Sequence, residues 1–231
     1  MLLKLRNDLR KQANSKRAST LKRFFKTGKG EYGEGDIFLG VTVPSSRKLA
    51  IKYKNLPFSD IKKLLQSKIH EERLIALLIL VHNFQVGNGS TKKKIYNYYL
   101  KNTKIINNWD LVDLSAHQIM GAYIFDKPKN ILLNLAKSQS IWERRISIIS
   151  TYDFIRKNKF KETLKIAKVL LQDKHDLIHK AVGWMLREIG KRDQIVEEEF
   201  LKKNYKTMPR VMLRYAVERF PKNVIKEYLK S

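Results

Sequence analysis

The sequence contains no cysteine, and among its 231 residues only five are proline and ten are glycine. The first absence excludes disulfides, thiolate zinc sites, iron–sulfur ligation and a cysteine nucleophile, and it suits a reducing compartment such as the cytoplasm, where the protein is expected. Acidic residues are scarce as well, 22 against 48 lysines and arginines, which leaves a formal net charge of +26. An excess of that size calls for an anionic partner. Long apolar runs are also missing: the longest, Leu74 to Val81, has eight residues, far below the ~18 that a membrane span requires. No membrane partner is expected. What the chain does have is core material, with 43% apolar and 10% aromatic residues, too much for a disordered polymer.

Apolar residues recur with helical period almost everywhere, and strand-like alternation is nowhere sustained. Helices are predicted near 44–54, 59–67, 70–84, 91–101, 109–124, 128–137, 141–156, 160–171, 176–190, 192–203, 209–219 and 221–229. The first twenty residues are basic and nearly acid-free, a composition shared with mitochondrial transit peptides. Apolar spacing continues through Leu21, Phe24 and Phe25, however, which favours an N-terminal helical hairpin over about 1–26. Five of the ten glycines fall between Gly28 and Gly40, marking a loop over 27–43. Its glycines invite a phosphate-cradle reading, but no strand precedes the loop and no GKS or GKT follows, so no nucleotide cofactor is expected.

The longer apolar helices share a pattern, with a basic residue near each start: Arg73, Arg145, Lys180 and Arg214. The spacing is about 35 residues with one repeat skipped, the signature of stacked helix pairs. A single all-α domain over 1–231 follows, a curved α-solenoid of HEAT-like antiparallel helix pairs. Placed on successive inner helices, those cations would line a concave wall suited to a phosphate backbone. The competing account is that they solvate helix surfaces or bond to carbonyls of the next repeat.

Three tryptophans occur, Trp109, Trp142 and Trp184. Trp109 and Asp113 are four apart, so a helix sets an indole and a carboxylate on one face. Trp184 lies four after Lys180 and three before Arg187, on a basic face. Gly183 beside it costs a helix about 1 kcal/mol relative to alanine, which suggests a close approach to the backbone. Trp142, with Ile141, Ile146 and Ile149 close by, reads as packing. Asp110 and Asp113 also suit a helix start through the dipole alone. The five histidines include no HExxH; His175 and His179 are four apart but lack a third ligand in obvious register, so no metal is expected. Ser115 and His117 are too close on one helix to serve as nucleophile and base.

Four segments in order, YGEGDIFLGVTVPSSRKLA from Tyr32, NNWDLVDLSAHQIMGAYIFDKP from Asn107, SIWERRISIISTYDFIRKNKF from Ser140 and DLIHKAVGWMLREIGKRD from Asp176, resemble the AlkD-type alkylpurine DNA glycosylases, the HEAT-like-repeat family of DNA alkylation repair enzymes. The resemblance implies that Asp113 is the catalytic carboxylate, with Trp109 and Trp184 as cleft indoles. It further implies DNA contacts at Arg145, Arg47 and Arg187, with Lys180 holding a phosphate and Tyr32 at the DNA surface. The implied partner is double-stranded DNA carrying N3- or N7-alkylated purines, engaged without a deep base-flipping pocket; a monomer is expected because no coiled-coil heptads occur, and no cofactor is expected. Because such a purine leaves as a neutral base, one carboxylate suffices, unlike the carboxylate pair of sugar hydrolases. The alternative is a non-catalytic basic scaffold that binds nucleic acid through charge alone; such a chain is expected to lose Trp109 or Asp113, and this one keeps both.

Overall fold

The structure, a computed structural model, describes residues 1–230. Its described residues are predominantly helical. Among the described residues the only extended pairing is an isolated bridge between Ile37 and Ile69. Packing divides the chain into two compact units, Met1–Ser115 and Ala116 onward.

The first unit holds α1 (Leu2–Arg10), α2 (Ser15–Phe24), α3 (Val43–Lys52), α4 (Phe58–Leu65), α5 (His70–Val86), α6 (Gly89–Lys101) and α7 (Trp109–Asp113). Local chemistry sets several starts. The side chains of Asn14, Thr42, Asn88 and Asn108 each accept a backbone N–H of the first turn of α2, α3, α6 and α7, relieving donors that a helix leaves unpaired. Helix α5 is the hub, with α3, α4, α6 and α7 packed around it. Its run from Leu74 to Val81 is buried throughout, as expected of a helix apolar on every side.

The four residues that open α5, His-Glu-Glu-Arg, are charged or titratable and yet buried. Each is matched. Glu71 accepts the N–H groups of Leu39, Gly40 and Val41, and Glu72 pairs with Arg6 at 2.9 Å. Gly40 is required at that turn: its φ is +81°, and a Cβ there would stand 2.2 Å from the Asn14 carbonyl oxygen. Thus the Gly-rich segment is tied down on α5, because buried charges are tolerated only when paired.

The second unit opens with a π-helical turn, His117–Gly121, that runs into α8 (Ala122–Ile124). It continues through α9 (Asn130–Ala136), α10 (Ile141–Ser150), α11 (Tyr152–Arg156), α12 (Lys161–Leu170), α13 (Asp176–Gly190), α14 (Gln194–Asn204), α15 (Arg210–Ala216) and α16 (Lys222–Lys230). Here α10 packs against α9, α12 and α13, and α13 against α11, α12, α14 and α15, so each helix layer buries its apolar stripe on the next.

Two predicted helices are interrupted. The run 109–124 breaks after Asp113, where the Ser115 hydroxyl turns back to the Leu111 carbonyl at 2.5 Å. The run 141–156 breaks at Thr151, with Ser150 and Thr151 hydroxyls bonded to the Ile146 and Ile148 carbonyls. Short hydroxyl side chains compete with the helical ladder in this way, a competition that apolar spacing does not register.

Candidate active site

In the first unit the motif Asn108-Trp109-Asp110-Leu111-Val112-Asp113 forms the five-residue helix α7 and its cap. Leu111 and Val112 are fully buried, which turns Trp109 and Asp113 to the opposite, half-buried side. The two acidic residues of the motif have different fates. Asp110 is buried: its Oδ1 accepts the Leu111 N–H at 2.8 Å and its Oδ2 meets His70 Nε2 at 2.7 Å. It is a structural partner, more than the dipole complement its position suggests. Asp113 stays half-buried. Its charge adds to the burial that pushes the neighbouring Tyr99 hydroxyl above its ordinary pKa, while that hydroxyl bonds to Ser115 Oγ at 2.9 Å.

Trp109 is walled by aromatic rings from the end of α2. Phe25 lies parallel to it with centroids 4.9 Å apart and 7° between planes. Phe24 meets it edge-on at 5.7 Å and remains 62% exposed, an unusual position for phenylalanine beside an otherwise packed ring. Phe25 also stacks on Phe38 at 4.9 Å and lies 5.1 Å from the His70 ring. These two phenylalanines were legible in the sequence only as helical spacing; their adjacency to Trp109 spans 84 or more residues of chain.

Beneath α7 is a buried ionic group. Asp36 Oδ2 faces His70 Nδ1 at 3.0 Å and accepts from Arg73 Nη2 at 2.7 Å and from Asn108 Nδ2 at 3.1 Å. Arg73 also donates to the Ser67 carbonyl at 2.9 Å. Burial opposes the charge on Asp36, but the His70 hydrogen bond and the Arg73 guanidinium hold it below the ordinary carboxyl pKa. Burial likewise opposes protonation of His70, yet the Asp110 charge and the bonds to Asp110 and Asp36 push it up to about 9. His70 is thus an imidazolium at neutral pH, donating from both nitrogens.

The remaining first-unit expectations divide. Arg47 is exposed on α3. Tyr32 is half-buried, its hydroxyl 3.5 Å from the Phe24 carbonyl.

In the second unit Trp184 is half-buried on α13. Its Nε1 donates to Glu188 Oε1 at 3.1 Å, and Tyr152 lies beside it at 5.9 Å. Glu188, one turn away and buried, also takes Lys191 at 2.5 Å; the i, i+4 spacing to Trp184 was a signal available in the sequence. The close approach suggested by Gly183 comes from the chain itself. A Cβ there would stand 2.3 Å from the Met212 carbonyl oxygen on α15. Lys180 is partly exposed and pairs with Asp176 at 2.9 Å, while Arg187 pairs with Glu218. Trp142 is buried. His175 caps α13, and His179 bonds to the Asp173 carbonyl at 2.5 Å. Among the described residues no cluster of metal-ligating side chains occurs, and no helix is long and apolar enough to cross a membrane.

The recurring cations need a correction. Arg73 and Arg145 are only 4% and 5% exposed. Arg145 donates to the Leu177 carbonyl, and Arg73 is spent on Asp36 and Ser67. Both are therefore committed inside the fold, Arg73 to loop residues Asp36 and Ser67 and Arg145 to α13, and Arg145 is not set out for a DNA backbone. A guanidinium with five donors is well suited to bridging buried carboxylates and backbone carbonyls in this way.

Comparison with known proteins bears on this geometry. The sequence profile of a family described as DNA alkylation repair enzyme matches residues 5–220. A solved structure titled a predicted DNA alkylation repair enzyme from Enterococcus faecalis is similar at TM-score 0.71 and 18% identity, covering 91% of this chain and 98% of that one. AlkD2 from Streptococcus mutans is similar at TM-score 0.52 and 18% identity, covering 94% and 97%. At such identities the likeness is one of fold, and it places the chain among helical-repeat proteins. No curated protein matches the sequence.

Proposed function

The chain belongs to the DNA alkylation repair enzyme family, and from that premise we propose that it is a DNA glycosylase hydrolysing the N-glycosidic bond of cationic N3- and N7-alkylated purines in duplex DNA. The observation that carries the reading is the pairing on α7 of a half-buried carboxylate, Asp113, with an indole one turn away, Trp109, on the side opposite the buried Leu111 and Val112. The back of α7 is locked into the core through Leu111 and Val112.

The chemistry asks little more of the protein. When the C1′–N bond breaks, its electron pair neutralises the alkylated ring, so the base leaves without a proton from the enzyme. What remains is an oxocarbenium-like sugar and a water molecule. A fixed carboxylate lowers the energy of the first and takes the proton of the second, effects worth about 10²–10⁴ in rate. Trp109, backed by Phe25, offers a π face to the cationic nucleotide, worth roughly 0.5–2 kcal/mol. Arg47 and Lys180 are proposed phosphate contacts. Trp184, Arg187 and Tyr32 enter through the family resemblance. Arg145 is left out because its guanidinium is turned inward to Leu177.

Release of 7-methylguanine or 3-methyladenine from methylated duplex DNA tests the reading, with Asp113→Asn as the comparison. The wild type is expected to release both bases and Asp113→Asn to lose about 10²-fold or more in rate. Equal release by both chains removes Asp113 from the mechanism, and no release by either leaves a DNA-binding scaffold. Since selectivity would come from the lability of a cationic lesion, efficient release of neutral 1,N6-ethenoadenine also contradicts the proposal.

A further inference from the structure

Helix α7 has five residues, too few to hold its shape unaided. Its first turn is instead tied to the rest of the unit by side chains. Asn108, fully buried, caps the helix through Trp109 N and reaches Asp36. Asp110 reaches His70. The His70 ring lies between the two carboxylates, one on each nitrogen, and is covered by Phe38 at 4.5 Å and Phe25 at 5.1 Å. Phe25 in turn stacks on Trp109. His70 therefore touches α7 twice, through Asp110 and through the ring behind the indole.

We propose that His70, bridging Asp36 and Asp110, is a positioning residue that sets the first turn of α7 and so the placement of Trp109 and Asp113; the catalytic part of this inference rests on the glycosylase reading above. The charged groups facing the ring are Asp36 from the Gly-rich loop, Asp110 from α7 and Arg73 one turn along α5. Two negative and two positive charges balance inside the core. A neutral imidazole donates from one nitrogen only, so losing the proton leaves one buried carboxylate facing a lone pair. The folded pKa of about 9 lies above the ordinary 6.5; the tether's contribution to stability is complete below about 6.5 and is lost as the pH rises through about 9.

The emission of Trp109 tests the tether without reference to catalysis. In the full chain carrying Trp142→Phe and Trp184→Phe, emission is recorded between about pH 7 and pH 10.5, spanning the expected transition. A step centred near pH 9 is expected. With His70→Gln added, the emission at pH 7 should resemble the high-pH limit and the step should vanish. Emission that is flat across the range, or a step that survives His70→Gln, overturns the proposal. Should the Gln chain not fold, the titration of the His70-containing chain still decides the matter. In base release, folded His70→Gln or Asp110→Asn should lower kcat by about 10- to 100-fold with KM for duplex nearly unchanged; an unaltered kcat in a folded variant also overturns it. If the unsubstituted chain releases no alkylated base, the glycosylase reading fails, and the emission step still confirms or refutes the tether.

Discussion

Gly183 sits in mid-helix on α13, directly before Trp184, and Gly183→Ala sets two effects of opposite sign against each other. Helix propensity favours alanine by about 1 kcal/mol. Against that, the added Cβ would stand 2.3 Å from the Met212 carbonyl oxygen, 2.5 Å from Tyr215 Cβ and 3.2 Å from Ala216 N. Carbon contacts are comfortable near ~3.5–4.0 Å, so α15 must retreat by about 1 Å. The obstacle is a helix backbone, which cannot swing aside like the end of a side chain. Met212 and Ala216 are fully buried and Leu213 nearly so, hence the retreat loosens a packed face. Overpacking of this kind costs about 1–3 kcal/mol; taken from its upper part, it leaves a net loss of about 1–2 kcal/mol. At about 2–4 °C per kcal/mol for a chain of this size, thermal unfolding followed by circular dichroism should show a lower Tm. An equal or higher Tm would refute the close-approach reasoning and return Gly183 to a role at the outer surface.

The arginines separate by burial. Arg145→Ala should lower Tm by the equivalent of about 1–3 kcal/mol, since it empties a buried site and removes the bond that ties α10 to α13, whereas Arg47→Ala should leave Tm within about 0.5 kcal/mol of wild type and flatten the salt dependence of duplex affinity by about one phosphate. The reverse pattern in melting and salt titrations would contradict the placement of both. Glu197 is buried against Gly190, and burial pushes its carboxyl up to about 8 despite the Arg187 charge. Because that value lies above the ordinary 4.5, its contribution to stability is present below about 4.5 and lost as pH rises through about 8. Glu197→Gln should flatten this part of the pH–stability curve and raise Tm at pH 8; an unchanged curve would place a charged Glu197 in the fold.

Much of the architecture is local and was therefore legible. Helical period, capping side chains and the spacing of about 35 residues act over one or two turns or one repeat, and they predict the α-helical fold and the position of α13 from Asp176 to Gly190. The same locality puts Trp109 and Asp113 on one face. Where a helix is cut by Ser115 or Thr151, the cause is a hydroxyl bonding back to its own turn, which apolar spacing does not register.

The fate of each charge was not legible in the same way. Arg73 and Arg145 share the register of Lys180 and Arg214, yet the first two are buried and Arg214 is exposed. Asp110 and Asp113 belong to one motif, but one is buried against His70 and the other is half-buried on the opposite side of α7. Asp36 meets His70 across 34 residues, and Phe25 meets Trp109 across a still longer stretch. Periodicity reports which side of a helix is apolar; which cation is walled in, which acid finds a proton and which ring lies against an indole depend on partners brought from far along the chain, and those are settled only when the helices stack.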